Sequence, residues 1–388
     1  MKLAERMARL GTETAFDVLA KAKALEAEGR SIIHLEIGEP DFDTPRNIKE
    51  AAKKALDEGW THYVPSPGIP ELRDVVAKYI SSTRGIDVKR ENVCIVPGAK
   101  PIMYYTIHLL CEKGDEVIYP NPGFPIYESV IKFVGAKPVP IPLLEEKNFS
   151  FDLNQFKDLC NDKTKLVIIN SPCNPTGGAV TKEDLEGVAE MAQKYDFAIL
   201  TDEVYDKMVW EGEFQSVASL PGMMERTVIL NGFSKSYAMT GWRAGYGVMR
   251  EDWAAQIAKM VTNNESCTCA FTQRACIEAL EGDQSETEAM MKEFHERRDL
   301  FVNGLNQIDG ISCVMPQGAF YAFPNVRGIK KFDCVGLADY FLNEAGVACL
   351  SGTCFGEYGR GYIRFSYAQS KETLSDALKR IGKAVRKL

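Results

Sequence analysis

Residues 165–203 read KLVIINSPCNPTGGAVTKEDLEGVAEMAQKYDFAILTDE, and this stretch indicates the fold. Two short apolar runs, KLVIIN and FAILT, flank a segment with helical spacing over 181–195. A strand, a helix and a second strand in this order form a crossover unit whose two strands lie parallel. Because the runs are apolar throughout rather than alternating, we expect helices to cover both faces of the sheet.

The same alternation extends over most of the chain, and it changes after a long polar helix predicted near 283–308. Beyond that helix, scattered strands indicate a second, smaller α+β unit. We therefore predict an α/β fold with a large domain, whose mostly parallel sheet is covered by helices, and a smaller discontinuous α+β domain. The predicted boundaries are 1–44 for an N-terminal segment that joins the small domain, 45–282 for the large domain and 283–388 for the small C-terminal domain.

Composition excludes several functional classes. The 388 residues carry a formal net charge of −8, which argues against binding nucleic acid or acidic membranes. The 11 cysteines are scattered and the four histidines lie far apart, so we predict no metal site and reduced thiols. Neither a signal peptide nor an apolar run of 18 residues is present, and we expect a soluble, cytoplasmic protein.

Unusual polar and aromatic residues follow five of the predicted strands. In open α/β sheets, ligands bind beyond the carboxyl ends of the strands, so these residues are expected to meet at one edge. In chain order, they are Gly98, Ala99, Lys100, Phe124, Asn174, Asp202, Tyr205, Ser234, Lys235 and Arg243.

The chemistry of these residues is complementary to pyridoxal phosphate. Lys235 supplies an amine that burial can make nucleophilic, and Arg243 suits a phosphate. The small residues Gly98 and Ala99 allow backbone N–H groups to approach an anion at a helix N-terminus. Asp202 can hold a protonated ring nitrogen, as expected for this cofactor.

Each residue alone also has a simpler structural explanation. Gly98 and Ala99 suit a tight turn, Asp202 suits a helix N-cap, and Asn174 lies among turn-prone residues. Phe124 could belong to the core, and Lys235 could be a solvated lysine. The functional interpretation therefore depends on all five strand ends together.

Several motifs strongly resemble those of the class I/II aminotransferases, which are fold-type I pyridoxal-phosphate enzymes of the aspartate aminotransferase type. The lysine motif is SKSYAMTGWRAGY at 234–246, and the resemblance extends from GEPDFDTP to the C-terminus. The other matching stretches are HYVPSPGIPELR at 62–73, NPTGG at 174–178, DEVY at 202–205 and YIRFSY at 362–367.

This resemblance implies a role for each residue that contacts the cofactor ring. Lys235 is the Schiff-base lysine, and Asp202 pairs with the pyridine nitrogen. Asn174 and Tyr205 hydrogen-bond the phenolic oxygen of the ring, while Phe124 stacks on it. Phe124 stands where some members have tryptophan, which alters the stacking without removing it.

The phosphate and the partner subunit involve other residues. By the same resemblance, Arg243 and the amides of Gly98, Ala99 and Lys100 bind the phosphate. Gly232 stands where many members have a phosphate-binding serine, so Ser234 or backbone groups compensate. Tyr63 resembles the tyrosine that reaches the phosphate of the partner subunit, which implies a homodimer with shared active sites.

The substrate side is less fully specified. Arg364 resembles the arginine that binds the substrate α-carboxylate, helped by Gly38 and Asn174, although without the resemblance a solvated strand arginine would be preferred. Lys100 resembles a lysine that holds acidic side chains in one bacterial and archaeal subgroup. We therefore expect a ping-pong transfer from aspartate or glutamate to a 2-oxo acid such as 2-oxoglutarate, with Lys235 moving the proton.

Other functions remain open at this stage. An enzyme that prefers alanine or aromatic substrates fits nearly as well, and a lyase or synthase would use the same cofactor cradle. A non-catalytic regulator that senses the cofactor is a further alternative. Transfer of an amino group to 2-oxoglutarate, as opposed to release of ammonia, discriminates an aminotransferase from the lyase alternative.

Overall fold

A mixed eight-stranded sheet forms the centre of the molecule. The computed structural model describes all residues, 1–388. The strands are β1 (Ile33–His34), β2 (Val93–Val96), β3 (Glu116–Asn121), β4 (Lys137–Leu144), β5 (Ser150–Phe151), β6 (Thr164–Asn170), β7 (Ala198–Asp202), β8 (Thr227–Gly232), β9 (Gly245–Val248), β10 (Tyr321–Ala322), β11 (Val347–Ala348), β12 (Leu350–Ser351) and β13 (Ile363–Ser366). Eight of these strands form the central sheet, in the order β2-β9-β8-β7-β6-β3-β4-β5.

Five central strands, β8, β7, β6, β3 and β4, pair in parallel, as the alternating pattern predicts. Strand β9 runs antiparallel to both β8 and β2, and β5 runs antiparallel to β4. Because β9 is antiparallel to both of its neighbours, β2 runs in the same direction as β8 and the other central strands. The carboxyl ends of β2, β3, β6, β7 and β8 therefore lie at one edge of the sheet.

Helices cover both faces of this sheet and build the rest of the molecule. The helices are α1 (Ala15–Ala27), α2 (Arg46–Asp57), α3 (Pro70–Arg84), α4 (Lys100–Leu110), α5 (Ile126–Val134), α6 (Leu153–Leu159), α7 (Lys182–Tyr195), α8 (Glu251–Asn264), α9 (Ala270–Glu281), α10 (Ser285–Leu305), α11 (Cys334–Tyr340) and α12 (Lys371–Val385). The α/β fold with a helix-covered large sheet thus confirms the predicted class.

Helix α7 shows how local sequence sets these boundaries. The hydroxyl of Thr181 accepts a hydrogen bond from the backbone N–H of Asp184 at 3.1 Å, which caps the N-terminus. Leu185, Val188 and Ala192 share one face and are buried. Asp196 then adopts a left-handed φ of 54°, which ends the helix before β7.

A second, smaller sheet of order β10-β13-β12 lies with α10, α11 and α12, and β1 pairs with β11. One apolar cluster joins Ile33 and Leu35 to side chains between residues 290 and 384. The N-terminal segment therefore packs against C-terminal elements. The three predicted domain boundaries stay a prediction.

Several elements differ from the sequence prediction. Helix α9 was not predicted, because Thr272 and Gln273 are buried in it and interrupt its apolar stripe. Gln273 satisfies its polar atoms by accepting from the N–H of Ile69 and donating to the carbonyl of Thr268. Among the scattered strands predicted beyond residue 308, the stretch ISCVMP at 311–316 is reduced to one bridge, between Ser312 and Asn325. Helices α6, α11 and α12 were also missed.

Candidate active site

A cavity of about 460 Å³ opens at the edge where the carboxyl ends of the central strands meet. Most of the residues predicted for the site line it. These are Gly38, Ala99, Lys100, Phe124, Asn174, Asp202, Tyr205, Ser234, Lys235, Arg243 and Arg364. Two predicted residues do not: Gly98 lies just behind Ala99, and Tyr63 is exposed on the loop between α2 and α3.

Asp202 ends strand β7 and is buried in the cavity floor. The phenol of Tyr127, on α5, donates a hydrogen bond of 2.5 Å to its Oδ2. Burial raises the pKa of Asp202 to about 6, although the Tyr127 bond and the cation of Lys235 oppose the rise. A carboxylate with this pKa is ionised at neutral pH and can accept a proton-bearing partner.

Lys235 follows strand β8 and reaches into the same cavity. Its Nζ donates to the carbonyl oxygen of Gly38 at 2.5 Å. Burial lowers the pKa of Lys235 to about 8, Glu39 opposes this shift, and the cations of Arg364 and Arg243 add to it. The lysine is therefore readily available as a neutral amine, the form that acts as a nucleophile and a base.

One corner of the cavity lies at the N-terminus of α4. Ala99, Ser234 and Arg243 line this corner, and Nη1 of Arg243 donates to the carbonyl of Thr240 at 2.8 Å. Gly98 has a φ of +87°, a left-handed conformation that favours glycine, and a Cβ there would lie 2.2 Å from Nη2 of Arg243. A helix N-terminus beside an arginine fork is suited to a phosphate.

Arg364, on β13, forms the opposite side of the cavity and is buried. Its Nη1 donates to Oδ1 of Asn174 at 3.1 Å and its Nη2 to the carbonyl of Glu36, while its Nε has no partner. The rings of Tyr321 and Phe355 lie 4.7 and 4.8 Å from its guanidinium carbon. No carboxylate pairs with this guanidinium, so it is free to bind one from a ligand.

Lys100 opens α4 and forms an ion pair with Glu13, which also lines the cavity. Its Nζ also lies 5.2 Å from the centre of the Phe124 ring. A lysine in the first turn of a helix opposes the helix dipole, and the carboxylate of Glu13 compensates it. Lys100 thus stands at the cavity wall already paired with an acid of its own chain.

Sequence reasoning missed several residues that line the cavity, among them Tyr127, Tyr321 and Glu13. Tyr321 donates to or accepts from the hydroxyl of Tyr205 at 2.8 Å. It lies so near Gly38 that a Cβ at Gly38 would sit 2.1 Å from its hydroxyl. The position of Tyr127, three residues after Phe124, could have suggested it. Tyr321 and Glu13 carry no comparable sequence signal.

The cysteines, the potential metal ligands and the helices bear on other possible functions of the chain. All 11 cysteines are free. No group of three or more histidine, cysteine, aspartate or glutamate side chains is placed to hold a metal ion. The helices are all too short or too polar to cross a membrane.

Comparison with known proteins identifies the family. The model of the class I and II aminotransferase family matches residues 30–381. An aspartate aminotransferase from Pyrococcus horikoshii is 42% identical, over 99% of this chain and 97% of that protein. Aromatic-amino-acid aminotransferase 2 of Thermococcus litoralis is 38% identical, over 100% and 99%. The structure of an alanine aminotransferase from Pyrococcus furiosus superposes with a TM-score of 0.95 at 32% identity, covering 100% of both chains.

The chain belongs to the class I and II aminotransferases. It is accordingly an enzyme, a transaminase. The names of its relatives differ in substrate, which makes the substrate of this chain a separate question.

Proposed function

We propose that this aminotransferase uses pyridoxal 5′-phosphate and moves an amino group from aspartate or glutamate to a 2-oxo acid such as 2-oxoglutarate. One observation carries the proposal: a single cavity brings together the amine of Lys235, the carboxylate of Asp202, the arginine fork of Arg243 and the unpaired guanidinium of Arg364. In the same order, these four groups are chemically complementary to the aldehyde, the ring nitrogen and the phosphate of the cofactor and to a carboxylate of the substrate.

The residues present fit the cofactor. Its phosphate would take the corner formed by Arg243, Ser234 and the amides that open α4. Asp202 would hold the ring nitrogen, Asn174 and Tyr205 the phenolic oxygen, and Phe124 one ring face. When bound, pyridoxal phosphate supplies an aldehyde that captures amines and a ring that accepts the electron pair left on the substrate Cα.

The chain itself positions the substrate and moves the proton. Arg364 orients the α-carboxylate through its fork, and Asn174 and Gly38 limit where that carboxylate sits. The Nζ of Lys235, whose pKa is lowered to about 8, would take the α-proton of the substrate as a neutral amine and hold that proton for its return. Asp202, whose carboxylate is ionised at neutral pH, would stabilise a proton on the ring nitrogen of the bound cofactor.

Lys100 supports the choice of an acidic substrate. Its ammonium group lies on the cavity wall, where it could bind an acidic side chain once released from Glu13, and the relative from Pyrococcus horikoshii is named an aspartate aminotransferase. A preference for aromatic substrates or for alanine is the second candidate, favoured by the names of the relatives from Thermococcus litoralis and Pyrococcus furiosus.

We further propose a homodimer with shared sites in the cytoplasm. Tyr63 is 87% exposed and does not line the cavity of its own chain. An exposed tyrosine of this size is explained if it reaches the phosphate corner of the partner subunit. Sedimentation of the protein, together with the cofactor affinity of Tyr63→Phe, tests this point: a monomer with unchanged affinity contradicts it.

A panel of amino donors with 2-oxoglutarate tests the function. We expect transfer from aspartate to 2-oxoglutarate to exceed transfer from alanine and phenylalanine, and we expect Lys235→Ala to abolish multiple turnover. Lys207→Ala is the matched control, because Lys207 is largely buried between Tyr79 and Tyr237 outside the cavity. Full turnover in Lys235→Ala, or release of ammonia without transfer, contradicts the proposal.

A further inference from the structure

An ion pair with Glu13 engages Lys100, the residue proposed above to hold an acidic side chain of the substrate. Both side chains line the cavity, and Glu13 is the more buried partner, with 20% of its side chain exposed against 49% for Lys100. The carboxylate comes from the segment before α1, far from Lys100 in sequence. The cavity wall at Lys100 therefore has no net charge.

The segment that carries Glu13 is held from both sides. Before it, the backbone N–H of Gly11 donates to the hydroxyl of Ser129 at 2.8 Å, and Arg9 donates to the carbonyl of Phe133 at 3.0 Å. After it, Lys21 of α1 pairs with Asp339 at 3.6 Å. The backbone on either side of Glu13 is thus tied to the rest of the chain by contacts that do not involve Lys100.

We propose that Glu13 is a specificity-determining residue that competes with the substrate side chain for Lys100. When the substrate has a neutral or aromatic side chain, the charge of Lys100 stays balanced by Glu13, and no cation is left unpaired at the cavity wall. A second carboxylate on the ligand must instead displace Glu13 or bind beside a like charge, which weakens its binding. Glu13 thereby reduces the difference in affinity between dicarboxylic and monocarboxylic ligands.

This inference rests on the proposed role of Lys100 in holding acidic side chains, and it is tested by binding rather than by turnover. Succinate and butyrate both have four carbons, but only succinate carries a second carboxylate. Their Kd values are measured by calorimetry on the protein loaded with pyridoxal phosphate, for the wild type, Glu13→Gln and Asp17→Asn. Asp17→Asn is the matched control. Asp17 is exposed on α1 and does not line the cavity, and its substitution removes one negative charge close to Glu13 in sequence.

In Glu13→Gln we expect succinate to bind roughly 3- to 10-fold more tightly, as for one partly exposed ion pair, while butyrate changes less than about twofold. Asp17→Asn should change neither ligand. An unchanged succinate Kd in Glu13→Gln, or an equal change for both ligands, overturns the inference.

A second variant separates Lys100 from a general charge effect. In a Lys100→Met background, Glu13→Gln no longer frees a cation, so its gain for succinate should fall clearly below the gain in the wild type. An equal gain in both backgrounds means that Glu13 acts without Lys100, and the inference is wrong. The panel of amino donors tests the proposed function independently. If no amino transfer is found but succinate binding changes as expected, the proposed function is wrong and the role of Glu13 still holds.

Discussion

The phenol of Tyr127 donates a 2.5 Å hydrogen bond to Oδ2 of Asp202 beneath the cavity floor. Since this bond holds the pKa of Asp202 below the value that burial alone would give, Tyr127→Phe should raise that pKa. We expect cofactor affinity to fall about tenfold, because a hydrogen bond to a charged group contributes about 1.5 kcal/mol or more. Spectroscopic titration with pyridoxal phosphate measures this.

The pH profile distinguishes positioning by Tyr127 from a loss of folding. In the wild type, cofactor affinity should fall as the pH drops through about 6, where Asp202 becomes protonated. In Tyr127→Phe the same fall should begin at a higher pH. Tyr340→Phe, which loses a phenol hydrogen bond of 3.2 Å to the carbonyl of Ala384 outside the cavity, should leave the profile unchanged. An identical profile in Tyr127→Phe contradicts the assignment.

The reactivity of Lys235 should depend on pH with a midpoint near its lowered pKa of about 8. The neutral amine is the reactive form, so the rate at which the cofactor-free protein captures pyridoxal phosphate should rise with pH and level off above about 8. In Arg364→Gln, one neighbouring cation is lost, and the midpoint should move to higher pH. Exposed Arg327→Gln is the control, and a midpoint near 10.5 in the wild type would contradict the prediction.

Gly38→Ala should impair turnover without unfolding the protein. The added Cβ would lie 2.1 Å from the hydroxyl of Tyr321, so the backbone that accepts from Lys235 must shift. We expect kcat/KM to fall more than about tenfold, since small misplacements at a reacting centre are costly. Tyr321→Phe removes the nearest atom and should restore part of the loss. Gly336→Ala, in helix α11 with 3.4 Å of clearance, should remain near wild type.

Arg84 should matter for stability far more than an exposed arginine. It donates from Nε to Glu203 at 2.9 Å and from Nη2 to Asp206 at 2.6 Å, and all three side chains are nearly inaccessible. Arg84→Ala leaves two buried carboxylates without their cation, and we expect a loss of about 3–5 kcal/mol in the free energy of unfolding. Arg90→Ala, which breaks an exposed pair with Asp74, should cost less than about 1 kcal/mol by denaturant titration.

The sequence predicted the part of the site that is contiguous with the strand ends. Asp202, Lys235 and Asn174 each lie at or just beyond an apolar run, so parallel pairing alone brings them to one edge. The cavity lining agrees with that prediction for these three positions. Their chemical roles stay predictions, because they depend on a bound cofactor and substrate.

The rest depends on contacts between distant parts of the chain. Tyr127 and Asp202 are 75 residues apart, and Glu13 and Lys100 are 87 apart, so no local pattern announces either pair. The antiparallel direction of β9 was also hidden, because an apolar run carries no sign of its direction. These features are decided by packing, which only the folded chain displays.

The position of Arg364 has a consequence for how this enzyme could change its substrate. Asp202 ends β7 and Lys235 follows the neighbouring strand β8, whereas Arg364 belongs to the small three-stranded sheet and Glu13 to the N-terminal segment. Of the groups proposed for ligand choice, Arg364 and Glu13 are thus carried by a second scaffold outside the large sheet, whereas Lys100 lies on α4 of the first. Substitutions on the second scaffold can alter preference while the first keeps its geometry, so new specificities are accessible without rebuilding the chemistry.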